Sequence, residues 1–152
     1  MSRRSLALLT LAIGLAGAAA EARVVRVAIE RREPLLGGRP FGLAGPYETL
    51  VGTVELALDP TLRQNQAVVD LGLAPRNERG EVVFTADFYL LKPVDVRRGN
   101  RRVYYEVPNR GGKGILRRLQ YAEPSLDPRE LRELGGGWLP EQGFSLAWMG
   151  WQ

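Results

Sequence analysis

The chain has 152 residues with no cysteine and no histidine, which excludes disulfides, thiol chemistry and a self-contained Ser-His-acid triad, and removes the commonest general base and metal ligand. That length is room for one domain. The net charge of +4 comes from 19 arginines and 2 lysines against 17 acids; arginine is spread along the whole length without a clustered basic helix, so no nucleic-acid partner is expected.

Residues 1–22 read as a signal peptide. Ser2-Arg3-Arg4 is a short basic start, and Leu6 to Ala20 is an apolar run too short for a comfortable membrane span. Ala18-Ala19-Ala20 and Ala20-Glu21-Ala22 both fit a small-x-small cleavage site. The alternative is an uncleaved membrane anchor. Ser2-Arg3-Arg4-Ser5-Leu6 also looks like a twin-arginine export signal with a very short leader. The expectation is an exported protein, periplasmic or extracellular, with no stable membrane span after cleavage.

Residues 23–152 form the expected domain. Val24 to Glu30 reads as a first strand, with Val25, Val27 and Ile29 on one face. Gly37 to Pro46 is a loop dense in breakers. Tyr47 to Leu58 reads as a second strand, in which Gly52 marks a bulge or a close approach. Thr61 to Gln66 is a polar turn, Ala67 to Leu71 a short strand, and Leu73 to Gly80 another turn. Glu81 to Lys92 is the longest strand, with Phe84, Ala86, Phe88 and Leu90 on one side; apolar residues on both faces suit a strand inside a sheet. Arg97 to Arg102 reads as a charged hairpin tip, since Gly99-Asn100 favours positive φ. Its four arginines are either a solvated turn, the preferred reading, or an anion-binding patch.

The stretch from Arg102 to Gly114 organises the remainder of the chain. Val103, Tyr105 and Val107 alternate with Arg102, Tyr104 and Glu106, as in a pleated strand, and Pro108 ends it. Gly111, Gly112 and Gly114 then allow a tight turn. Ile115, Leu116 and Leu119 are spaced for one face of a short helix over 114–121. A strand, a glycine turn and a helix in this order leave free backbone N–H groups to meet an anion or a developing oxyanion. Next, Asp127, Pro128 and Glu130 fit an N-cap, first helical position and capping box, and that helix stops at Gly135-Gly136-Gly137. Trp138 to Gln142 reads as another helical turn, and Phe144 to Trp151 as a last strand, parallel to 102–107 by a crossover connection. That last strand looks two-sided and unpaired, so the isolated chain is expected to aggregate or bind hydrophobic dyes.

Other chemistries find little support. Asp87 and Glu106, placed on neighbouring strands, read as partners for arginine, not as an acid/base pair. No cluster has zinc or calcium spacing, and Gly111-Gly112-Lys113-Gly114 lacks the spacing of a phosphate loop. No cofactor and no metal are therefore expected. Gly143-Phe144-Ser145-Leu146-Ala147 superficially matches a nucleophile elbow, but Ser145 would start a strand and not sit at a strand-to-helix corner, so no catalytic residue is assigned. A different class of function, a stand-alone exported β-rich binding module, would use Tyr104, Trp138, Trp148 and Trp151 as stacking surfaces.

Four blocks together carry a resemblance: Gly45-Pro46-Tyr47-Glu48 with Gly52; Leu73-Ala74-Pro75-Arg76-Asn77 with Gly80; Glu106-Val107-Pro108-Asn109-Arg110-Gly111; and Gly143-Phe144 with Trp148-Met149-Gly150-Trp151-Gln152. As a set they resemble exported α/β-hydrolase-domain proteins, over roughly residues 23 to 152. The resemblance implies an α/β fold class: the N-terminal part of an α/β-hydrolase fold, β-rich, with about six strands and two or three short helices, incomplete in this chain. By the same resemblance Asn109, Arg110, Gly111 and Gly112 occupy the oxyanion-hole loop, with Asn109 standing where the family usually has His. The implied activity is hydrolysis of a carboxylic ester or related acyl compound by a serine nucleophile, with a small-molecule ester-like substrate bound by the full-length protein. The 152-residue chain itself is expected to be catalytically silent.

Overall fold

A computed structural model describes residues 22–108 and 112–150. They form a mixed α/β arrangement with six strands and few helices. In chain order these are β1 (Ala22–Pro34), β2 (Pro40–Phe41), β3 (Gly45–Leu58), β4 (Val82–Pro93), β5 (Val103–Glu106), α1 (Gly114–Gln120), α2 (Trp138–Glu141) and β6 (Ser145–Met149), with 3-10 turns between them. The strand order is β1-β3-β4-β6-β5, with the two-residue β2 pairing onto β3. β1, β3, β4 and β6 pair antiparallel in turn, whereas β5 and β6 are parallel, as the crossover through α1 requires.

β3 and β4 pair without interruption from Tyr47↔Pro93 to Leu58↔Val82. Their alternation sends Tyr47, Thr49, Tyr89 and Leu91 to one face, where all four are buried. Leu146 and Trp148 of β6 extend that face, and Ile115, Leu116, Leu134 and Leu139 from the helical segments close over it. Tyr47 is fully buried; its hydroxyl donates to the Pro140 carbonyl at 2.9 Å and lies 3.0 Å from that of Phe144. Burial pushes its phenol well above the ordinary range.

Gly52 is a close approach: a Cβ there would fall 1.9 Å from the Ala28 carbonyl oxygen of β1. The bulges sit on the facing strand. The register skips at Val25 and at Glu30, so β1 does not keep Val25, Val27 and Ile29 on one sheltered face; all three are exposed on an outer strand.

Several expectations are corrected. Residues 67–71 form no strand. The chain there runs from one 3-10 turn (Arg63–Ala67) to another (Leu71–Leu73) through Asp70 at φ 60°, and Val68 and Val69 are exposed with no strand beside them. Arg97 to Arg102 is no hairpin tip, because β6 lies between β4 and β5. The segment crosses the end of β6, with the Asn100 backbone N–H donating to Gly143 O at 2.9 Å, and Arg101, not Gly99 or Asn100, takes the positive φ. For the same reason Asp87 and Glu106 are not on neighbouring strands.

The capped turn begins three residues later than the sequence pattern indicates. Glu133 accepts the N–H groups of Arg129 and Glu130 at 2.7 and 2.9 Å, and Asp127 is drawn into a different cluster. On α1, Ile115 and Leu116 are buried as expected, but Leu119 is half exposed and Gln120 takes the inner position. Finally, β6 is not an unpaired edge. It is held on both sides, and Leu146 and Trp148 are core.

Candidate functional site

β5 ends where the crossover begins, and Glu106 ties that corner together. Its Oε2 accepts from the Ile115 backbone N–H at 2.9 Å, in the first turn of α1, and from Trp148 Nε1 at 2.8 Å, across the β5–β6 register. Its Oε1 accepts from Arg118. One carboxylate thus fixes the strand end, the helix start and the neighbouring strand. Gly114 permits this closeness, since a Cβ there would stand 3.0 Å from Glu106 Oε1.

Beside the corner is a cavity of about 320 Å³ lined by Gly112, Lys113, Gly114, Arg117, Ser125 and Leu126 among others. Of the oxyanion-loop residues expected from sequence, Gly112 lies on its wall, and Asn109, Arg110 and Gly111 fall outside the described residues. Lys113 is half-buried. Its Nζ donates to the Leu126 carbonyl and stands 4.1 Å from the Tyr89 ring centroid and 5.6 Å from that of Trp148. Burial pushes its ammonium down to about 8; Asp127 and Glu106 pull the other way and Arg31 adds to the fall.

Asp127 anchors the far end of this group. Its Oδ1 accepts from Arg31 at 2.8 Å and from the Tyr89 hydroxyl at 3.0 Å, and its Oδ2 from Arg129 Nε and a terminal guanidinium nitrogen at 2.9 and 2.8 Å. Burial alone would raise this carboxyl, but the bonds from Arg31, Arg129 and Tyr89 outweigh it and hold it below the usual range. Asp127 is therefore spoken for, and its role is to pin β1, β4 and the turn before Pro128 to one another.

Ser145 is the first residue of β6, with its backbone N–H on the Arg102 carbonyl at 3.0 Å, and so stands in a strand and at no strand-to-helix corner. Among the described residues no group of three or more acids could hold a metal ion. Of the proposed stacking aromatics, Trp148 is buried, Trp138 and Tyr104 are exposed, and Trp151 falls outside the described residues. No helix among the described residues is long and apolar enough to cross a membrane.

The sequence reading missed Lys113 and Asp127 as members of a site. One signal pointed to the first: lysine occurs only at 92 and 113 in a chain with 19 arginines, so position 113 is a choice against the composition.

The blocks that carry the family resemblance have visible structural duties. Gly45 adopts φ 76° against Arg98, Asn77 Oδ1 accepts the N–H groups of Arg79 and Glu81, and the Gly143 carbonyl receives Asn100. No family model matches the chain, and neither a curated protein nor a solved structure matches it.

Proposed function

We propose that this chain is the N-terminal section of an exported serine-hydrolase-like α/β protein, supplying sheet strands and an oxyanion-hole loop to a site that acts on an ester-like acyl substrate. The observation that carries the reading is β5. It is a parallel strand at the sheet edge, yet Val103, Tyr104 and Tyr105 are all exposed, and Val107 just beyond it is two-thirds exposed. Parallel strands are ordinarily covered on both faces. The opposite outer strand, β1, carries arginines and two register shifts, which blunt an edge; β5 carries neither device.

A further parallel strand added to β5 would reverse the direction of sheet growth at that point. The carboxyl end of β5 would then be a topological switch point, the crevice where open α/β sheets bind ligands. That end is the corner described above, and residues 109–112, which the resemblance assigns to the oxyanion hole, follow it in the sequence. A nucleophile elbow at the end of the added strand would lie at that crevice. Within this chain the reaction lacks a nucleophile and a base, consistent with the absence of histidine and the strand setting of Ser145.

The test has two arms. The 152-residue chain with p-nitrophenyl butyrate is expected to show no turnover above buffer; turnover lost in Ser145→Ala overturns the reading. The coding sequence after codon 152 is expected to continue into a Gly-x-Ser-x-Gly and a later His. A stop codon there, with a monomer that melts cooperatively, overturns it in favour of a binding module using Tyr104 and Trp138.

A further inference from the structure

Lys113, the residue before α1, turns its side chain onto the sheet, not out into water. Its ammonium donates to the Leu126 carbonyl and rests against the faces of Tyr89 on β4 and Trp148 on β6. Those two rings are register partners, packed edge to face with centroids 5.8 Å apart, so they make a fixed wall. The charged groups around the amine are already committed elsewhere. Asp127 is held by Arg31, Arg129 and Tyr89, and Glu106 by Arg118, Trp148 and the Ile115 N–H. Among the described residues no carboxylate makes an ion pair with Lys113, and Arg31 and Arg117 add positive charge nearby. The amine keeps one carbonyl acceptor and two ring faces, and Lys113 lines, together with the Leu126 that it bonds, a cavity of about 320 Å³, room for a small organic ligand.

We propose that Lys113 is a ligand-binding amine that condenses with the carbonyl group of a small aldehyde or ketone seated in the cavity lined by Gly112, Gly114, Arg117, Pro124, Ser125 and Leu126. The unprotonated Nζ attacks the carbonyl carbon, and the π pair moves to oxygen. Transfer of a proton from nitrogen to oxygen gives a carbinolamine. Loss of water then forms the C=N bond, so one carbonyl and one amine become one imine and one water. Burial supports this by keeping part of the amine unprotonated near neutral pH. Tyr89 and Trp148 hold the amine in place, Pro124 and Leu126 supply apolar wall for the ligand, and Arg117 in the lining favours an anionic substituent. Every group involved is present in this chain, so imine formation at Lys113 stands whether or not the hydrolase reading does.

The experiment uses the fact that the chain has just two lysines. The folded protein is incubated at pH 7.5 with pyridoxal and sodium cyanoborohydride, which supplies the hydride that fixes the imine as a secondary amine, and the sites are read by peptide mapping. Lys113 is expected to react about tenfold faster than Lys92, because the gain in free amine from its lowered basicity outweighs the accompanying loss of nucleophilicity. The rate at Lys113 should saturate with pyridoxal concentration and fall when pyridoxine, which has no aldehyde, is added. In about 8 M urea, a concentration set by the usual range of chemical denaturation, the two lysines should react within about twofold of each other. Lys113→Gln, with an unchanged far-ultraviolet circular dichroism spectrum, should lose the fast site. Equal rates in the folded protein overturn the proposal, as does a rate at Lys113 that stays linear in pyridoxal and ignores pyridoxine, which marks an exposed amine without a ligand pocket.

Discussion

The two lysines of this chain occupy opposite kinds of site. Lys92 lies on β4 directly across from Glu48 of β3 in the antiparallel register, and Arg32 of β1 reaches the same carboxylate at 2.6 Å. Glu48 is only 5 % exposed. Burial alone would raise its carboxyl, but hydrogen bonds from Arg32 and Lys92 prevail and hold it low. Lys113 is also half-buried, yet it sits against two rings and a carbonyl, and among the described residues it makes no ion pair, with Asp127 and Glu106 acting on it only from a distance. The difference is between a site that completes itself and one that leaves a charge unbalanced beside a cavity. The first builds the sheet; the second is open to a ligand.

The largest expected effect comes from breaking the complete site. Glu48→Ala leaves the largely buried Lys92 without its acid beside a hole, with the more exposed Arg32 at its edge, and is expected to destabilise the fold by about 3 kcal/mol in urea unfolding. A loss below about 1 kcal/mol, the range of an exposed pair, would show that the cluster is solvated and the contrast with Lys113 unfounded. Lys92→Met is milder, since Arg32 still holds Glu48. It is expected to cost about 1.5 kcal/mol by the same measurement, and the double variant with Glu48→Gln should cost less than the sum.

Glu106→Gln tests the corner itself. The amide oxygen can take the place of Oε2 and still accept from the Ile115 N–H and Trp148 Nε1, but without charge, and the amide nitrogen is then left facing Arg118. The expected loss is about 1 kcal/mol, with a shift in tryptophan fluorescence that reports the Trp148 contact. An unchanged emission spectrum would mean that Trp148 does not depend on Glu106.

The paired site was half legible in the sequence and the unpaired one was not, for physical reasons. Period-2 alternation placed β3 and β4 to within a residue or two, and a parallel β5–β6 pair followed from a strand, a helix and a strand in succession. Register is a different matter. Nothing local says that Glu48 faces Lys92, or that β6 inserts between β4 and β5 and turns Trp148 into core. The hairpin at Gly99-Asn100 was wrong for that reason: a local turn preference yields to a strand pairing made some forty residues later. Asp127 shows the same override. Its spacing to Pro128 and Glu130 fits a cap, but Arg31, Arg129 and Tyr89 offer it charge-assisted partners, and Glu133 takes over the capping. At the candidate site, the strand ending at 106 and the helix starting at 114 were readable from the pattern, while the setting of Lys113 depends on residues 89, 126 and 148, which only the fold assembles.

The smallest expected effect is the most discriminating, because its sign follows from the setting of Lys113 alone. In the native state burial holds the Lys113 ammonium near 8, against 10.5 for a free lysine. Below pH 8 both native and unfolded chains carry the proton, and the native state bears the full penalty of burying it. Between pH 8 and 10.5 the native state releases the proton first and the unfolded chain binds more, so stability gained from this residue rises with pH across that window. Lys113→Met removes the proton from both states. The variant is therefore expected to be more stable than the parent by about 1 kcal/mol at pH 7, a figure kept small because the side chain is partly solvated. The gap should narrow as pH approaches 10. Tyrosines and other groups titrate alike in both proteins, so the difference curve isolates position 113. A variant less stable than the parent at pH 7, or a gap that stays constant from pH 7 to 10, would mean that the rings and the Leu126 carbonyl fully compensate the charge, and the two lysines would then differ in partners but not in energy.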